Sequence, residues 1–133
     1  MFWNRRNSLE NARRKDCFGS EWERERFIKT IRELKERAVI VEGKKDAIAL
    51  RKLGLHKIIP LNNTPLARFA ERIAESGERE VIILTDFDKE GRKLEGKLDT
   101  LLKSYKVKTN KRLRRVLMGF GRNCIEDFGN VTV

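Results

Sequence analysis

A chain of 133 residues can hold one domain with a buried core, and is short for two. Its 31 Lys and Arg outnumber its 20 Asp and Glu, and the resulting net charge of +11 favours a polyanionic partner such as nucleic acid. There is no apolar run long enough to span a membrane, no apolar N-terminal stretch suited to a secretory signal, and no zinc-like spacing between Cys17 and Cys124. These absences set aside membrane, secreted and zinc-module classes and leave a cytoplasmic protein with reduced thiols as the expectation.

Residues 1–19 are basic and irregular. From Ser20 the spacing predicts a helix: Ser20 suits an N-cap, Glu23 completes a capping box, and Phe27, Ile31, Leu34 and Ala38 recur at helical intervals with Ile28 widening the stripe. Residues 1–37 therefore read as a basic N-terminal segment and helical extension ahead of a domain spanning 38–133. A strand is expected over 38–42 and a helix over 44–53, closed by Gly54. His56, the one histidine, falls in the loop before a strand at 57–61 and reads as a loop residue. Thr64 as N-cap and Pro65 at the first helical position open a helix with Leu66, Phe69, Ala70, Ile73 and Ala74 on one face, ended by Gly77. A strand at 80–85, a helix at 90–104 with Leu94, Leu98, Leu101 and Leu102 on one face, and a short strand at 106–109 follow. Lys111–Met118 reads as a further helix, and 119–133 carries no clear pattern. Alternation of strand and helix predicts an α/β fold: a four-stranded parallel sheet flanked by helices, with right-handed crossovers.

Two of these strands end in acid. Ala38-Val39-Ile40-Val41 runs into Glu42-Gly43, and Val81-Ile82-Ile83-Leu84-Thr85 runs into Asp86-Phe87-Asp88-Lys89-Glu90-Gly91. Unbroken apolar runs suit strands buried on both faces, and ligands of open parallel sheets bind beyond the strands' carboxyl ends. Glu42, Asp86 and Asp88 are therefore expected to converge, and three carboxylates in a basic chain suggest that together they bind a divalent cation and face a phosphate-bearing partner. Asp86 and Asp88, two apart in extended chain, point the same way and can share one Mg²⁺ (Mn²⁺ being the alternative ion), with Phe87 turned into the packing. Gly91 allows a tight entry into the next helix, whose N-terminus favours anions. The plainer alternative for Asp-x-Asp after a strand is a helix-capping turn.

The two motifs together, with their strand contexts and separation, resemble the Toprim domain shared by topoisomerases, bacterial-type primases, recombination proteins and certain RNA maturation nucleases. Val-Glu-Gly-Lys-Lys-Asp-Ala and Leu-Thr-Asp-Phe-Asp-Lys-Glu-Gly are similar to the small stand-alone archaeal Toprim proteins and to the Toprim half of the maturase that trims 5S ribosomal RNA precursors. The resemblance covers about residues 38–128 and implies a compact Rossmann-like fold with the first and third strands adjacent. It implies that Glu42 is the family's general acid or base and that Asp86 and Asp88 are its Mg²⁺ pair. It also aligns Asp46 and Glu126 with accessory acidic positions of the maturase-like branch. Asp46 has an alternative role on the first turn of its helix, where acids are favourable.

Phosphate contacts are expected around this acidic centre from Lys44, Lys45, Lys89 and Arg92, whose alternative is to be solvated cations at helix starts. The tract Lys106, Lys108, Lys111, Arg112, Arg114, Arg115 is wholly basic and is expected to contact a nucleic-acid backbone. A charge-rich chain with no Gln also fits a thermophile-like surface, although such surfaces balance their signs better than this one does. Tyr105, the one tyrosine, lies within the Toprim-like unit, and no polymerising or zinc-binding extension is visible, so neither strand passage nor complete primase activity is expected. The expectation is a Mg²⁺-dependent nuclease that processes nucleic acid, RNA before DNA. The alternatives are a non-catalytic nucleic-acid-binding adaptor, or a Toprim subunit that works with a protein partner.

Overall fold

The computed structural model describes residues 20–121. Cys17, Cys124, Glu126 and the basic residues of 1–19 lie outside that range. Helix α1 (Glu21–Lys35) starts where Ser20 Oγ accepts the Glu23 N–H at 3.1 Å, and it buries Phe27, Ile31 and Leu34. There follow β1 (Ala38–Val41), α2 (Lys44–Lys52), β2 (Ile58–Pro60), α3 (Leu66–Glu75), β3 (Glu80–Ile83), α4 (Lys89–Ser104), β4 (Lys108–Thr109) and α5 (Lys111–Met118). Ala38, read as the last apolar position of α1, instead opens β1. Helix α1 stops at its Glu36 cap, and the chain is already extended by Ala38.

The four strands form one parallel sheet in the order β2-β1-β3-β4. Val39 pairs with Ile58 on one side and with Ile82 on the other. Side chains alternate between the two faces of the sheet, as strand geometry requires. Val39, Val41, Ile82 and Leu84 pack with residues of α1, α2 and α5. Ala38, Ile40, Val81 and Ile83 pack with residues of α3 and α4. Both faces are thus covered, which explains why residues 38–41 and 81–84 are apolar without interruption. Ile40, Ile82 and Leu84 have no exposed surface, and each such side chain stabilises the fold by about 1.5–3 kcal/mol relative to exposure.

From β1 the chain steps outward to β2 with α2 on one face. It then returns past β1 to β3 with α3 on the other face. Right-handed crossovers demand opposite faces for opposite directions. The reversal makes the gap between β1 and β3 the topological switch point, the place where open α/β sheets bind ligands.

Candidate functional site

At that switch point β1 delivers Glu42 and β3 delivers Thr85 and Asp86. Leu84 N donates to Ile40 O at 2.7 Å, carrying the β1–β3 ladder to the sheet edge. Two residues further on, Glu42 Oε2 accepts the Asp86 N–H at 2.7 Å. The carboxylate of the first motif therefore holds the backbone of the second, and Glu42 and Asp86 meet as the strand endings require. Both are half-buried, whereas Asp88 is exposed.

Asp88 caps α4: its Oδ1 accepts the Gly91 N–H at 2.8 Å. The capping role considered for the Asp-x-Asp motif is thus real for its second member. Phe87 between them is 3% exposed and packs into the core, as the alternation requires. Gly91 serves the turn through contact and not through its φ. A Cβ placed there would lie 1.9 Å from Asp86 O, so only glycine lets α4 start against that carbonyl. Thr85, fully buried, donates from Oγ1 to Gly91 O at 2.7 Å and closes the loop from the other side.

Arg114 is the main correction to the sequence reading. It does not belong to an exposed phosphate-binding tract. It is 6% exposed, and its guanidinium donates to the carbonyls of Ile83 (3.1 Å), Thr85 (2.7 Å) and Asp86 (3.0 Å) while Cζ lies 5.0 Å from the Phe87 ring centroid. Burial pulls its pKa down, and the nearby charges of Glu95, Glu42 and Asp86 oppose that pull. A guanidinium keeps its proton in proteins, so a fixed positive charge stands behind the acidic pair. The signal for this was present: on α5 the inward residues are Leu113 and Leu117, and Arg114 is next to the first and three before the second.

The remaining cations divide. Lys111 Nζ pairs with Asp99 at 3.1 Å, and Arg112 pairs with Glu33, so both have partners within the fold. Arg92 is exposed, with Nε donating to Phe87 O at 2.9 Å. Lys44, Lys45, Lys89 and Arg115 are exposed. Asp46 Oδ2 accepts the Gly43 N–H at 3.1 Å, which steadies the Glu42–Gly43 turn at the start of α2. Glu126 falls outside the described residues.

The donors offered here are carboxylate oxygens alone, the set a hard cation selects. Among the described residues, no group of three or more His, Cys, Asp or Glu is placed to enclose a metal. Mg²⁺ does not need such a cage, because it is commonly held through one or two carboxylates plus waters and phosphate oxygens. Asp86 and Asp88 fit that open kind of site.

The adjacency of β1 and β3, with a glutamate following the first and an aspartate following the second, is what the resemblance to Toprim implies. Residues 37–117 match the Toprim domain model, and the chain belongs to the Toprim family. It is 41% identical over 104 residues to a UPF0292 protein of Thermococcus gammatolerans, covering 76% of this chain and 77% of that one. It is 44% identical over 94 residues to a UPF0292 protein of Pyrococcus abyssi, covering 70% and 69%. A solved structure of an Aquifex aeolicus protein superposes with a TM-score of 0.69 at 29% identity, covering 74% of this chain and 94% of that one. Toprim domains act on nucleic acids and generally bind Mg²⁺, so membership points to a metal-dependent role connected with nucleic acid. No helix among the described residues is long and apolar enough to cross a membrane.

Proposed function

We propose that this chain is a Mg²⁺-dependent phosphodiester enzyme of the cytoplasm that cleaves RNA during maturation. The observation that carries this reading is the Glu42–Asp86 hydrogen bond of 2.7 Å at the switch point. Carboxylates gathered at a nucleic-acid cleft repel phosphate, so a protein that only binds gains nothing from them. The preference for RNA rests on the likeness of both acidic motifs to the ribosomal-RNA maturase.

Asp86 and Asp88 are the residues that would hold Mg²⁺ (or Mn²⁺). When bound, the ion would supply positive charge against the phosphate oxygens and against the charge that develops on them. Glu42 holds or moves a proton at the attacking or leaving oxygen. Its contact with the Asp86 N–H sets its position, and Arg114 and Thr85 hold the loop on which Asp86 stands. Lys44, Lys45, Lys89 and Arg92 take the flanking phosphates, with Arg115 extending that contact along α5. Asp46 acts by fixing the turn after Glu42.

Incubation with labelled structured RNA and with single-stranded DNA, in Mg²⁺ and in EDTA, tests this. The reading predicts cleavage of the RNA in Mg²⁺ alone. Retention of every substrate intact, with binding preserved, contradicts it. That outcome supports a second reading, a non-catalytic nucleic-acid adaptor or the Toprim subunit of a larger complex. One observation favours this alternative: Asp88 is already employed as a helix cap.

A further inference from the structure

Beside Glu42 lies a cleft that phosphodiester chemistry does not use. The chain leaves β2 through Leu61, passes Asn62 and Asn63 with φ of +46° and +62°, and enters α3 at Pro65. Consecutive left-handed residues are uncommon outside glycine, and asparagine tolerates them best. Backbone bonds pin the turn: Leu61 N to Val41 O at 2.8 Å, Asn62 N to Glu42 O at 3.0 Å and Thr64 N to Leu61 O at 2.9 Å. The pinned turn and the facing side of α4 enclose about 290 Å³, lined by Glu42, Leu61, Asn63, Thr64, Leu66 and Leu94.

The lining selects its occupant. Three leucines make apolar walls. Asn63 offers both a donor and an acceptor, and Thr64 adds a hydroxyl. No Lys or Arg among the described residues lines the cleft, and Glu42 stands at its margin, so a phosphate is a poor fit. The volume is at the lower end of small-ligand pockets, about 300–1,000 Å³, which suits a small flat ring with a hydrogen-bonding edge. Helix α3 begins at this cleft with no side-chain cap and no acid in its first turn, leaving its N-terminal donors for a ring carbonyl.

We propose that the cleft receives a single unpaired nucleobase from the strand whose reacting phosphate lies beside Glu42, at the Mg²⁺ that Asp86 and Asp88 would hold. This rests on the phosphodiester reading and narrows it. In a continuous duplex the base is stacked and paired, and extracting it costs energy. The substrate is therefore unpaired next to the reacting phosphate: a loop, a bulge or an end.

The test compares two probes by amide NMR on the full chain. One is a 5′-phosphorylated single-stranded RNA pentamer. The other is the same length of backbone with abasic spacers at all five positions. The expected result is that Gly43 and Asp86–Lys89 respond to both probes, whereas Asn63, Thr64, Leu66 and Leu94 respond only to the pentamer that carries bases. Asn63→Gly, which keeps the left-handed turn, should weaken the base-bearing pentamer by about fivefold or more and leave the abasic probe unchanged. If the cleft residues do not distinguish the probes while Gly43 and Asp86–Lys89 respond to both, the nucleobase site is wrong and the phosphodiester reading stands. If neither group responds to either probe, both fall together.

Discussion

Asp88 carries two assignments that substitution can separate. As the cap of α4 it accepts the Gly91 N–H, and as a carboxylate it is the oxygen ligand proposed for Mg²⁺. Asn caps as well as Asp does, so Asp88→Asn should keep thermal stability close to wild type while weakening Mg²⁺ binding, followed through the amide signals of Asp86 and residue 88. Asp88→Ala should additionally cost about 0.5–2 kcal/mol in denaturant unfolding. A Mg²⁺ titration of Asp88→Asn identical to wild type would leave Asp88 as a cap only. Gly91 gives a second residue-scale test. Its missing Cβ accommodates Asp86 O, so Gly91→Ala should destabilise the protein by about 1–3 kcal/mol by urea unfolding, as overpacking does. A variant as stable as wild type would show that the loop yields without cost. The acidic positions were legible in the sequence because an apolar run ending in a carboxylate is a local pattern. The role of Arg114 is hidden because the cations of the tract look alike by charge, and among the four on α5 only helical phase separates the buried one from the rest.

Among the elements, α4, β4 and α5 are joined through one buried carboxylate. Asp99 on α4 is 5% exposed and accepts from Thr109 Oγ1 on β4, from Lys103 Nζ at 3.1 Å and from Lys111 Nζ of α5 at 3.1 Å. Burial raises its pKa, but the hydrogen bonds from Thr109, Lys111 and Lys103 together outweigh burial and leave it below the usual carboxylate value. A depressed folded pKa means that this contribution is present above the unfolded value of about 3.9 and fades as pH falls through the folded one. Asp99→Asn should therefore cost about 1–3 kcal/mol at pH 7, and the gap to wild type should narrow as pH drops below about 4 in denaturant unfolding. A gap independent of pH would remove the charge of Asp99 from the account. Periodicity located the elements well, since the amphipathic faces read for α3 and α4 supply the buried residues Phe69, Ala70, Ile73, Leu98 and Leu102. It was one residue early at α3. Pro65 itself is the N-cap, with ψ of 133°, and the helix begins at Leu66. The Asn62–Asn63 turn was missed altogether, because two left-handed asparagines leave no periodic trace.

For the whole molecule, the net charge of +11 predicts nucleic-acid binding that weakens steeply with salt, each neutralised phosphate adding about −0.7 to −0.9 to the log–log slope. Replacing exposed Lys44, Lys45 and Lys89 together with alanine should flatten that slope by about 2–3 in titrations between low and physiological salt. An unchanged slope would place the bound strand elsewhere on the surface. Arg114 does not belong in such a set, since its loss would disturb the loop that bears Asp86. The sheet order, with β1 beside β3, followed from resemblance and from the switch-point rule. Local pattern alone could not supply it, because hydrogen bonding between strands far apart in sequence leaves no mark on either. The central claim is that Glu42, held against Asp86, performs proton transfer. Glu42→Gln keeps size and hydrogen bonding but removes the base. Single-turnover cleavage of structured RNA in Mg²⁺ should then fall by ~10²–10⁴ while affinity for the RNA stays equal or rises slightly as repulsion of phosphate is relieved. Cleavage by Glu42→Gln at the wild-type rate would contradict the claim.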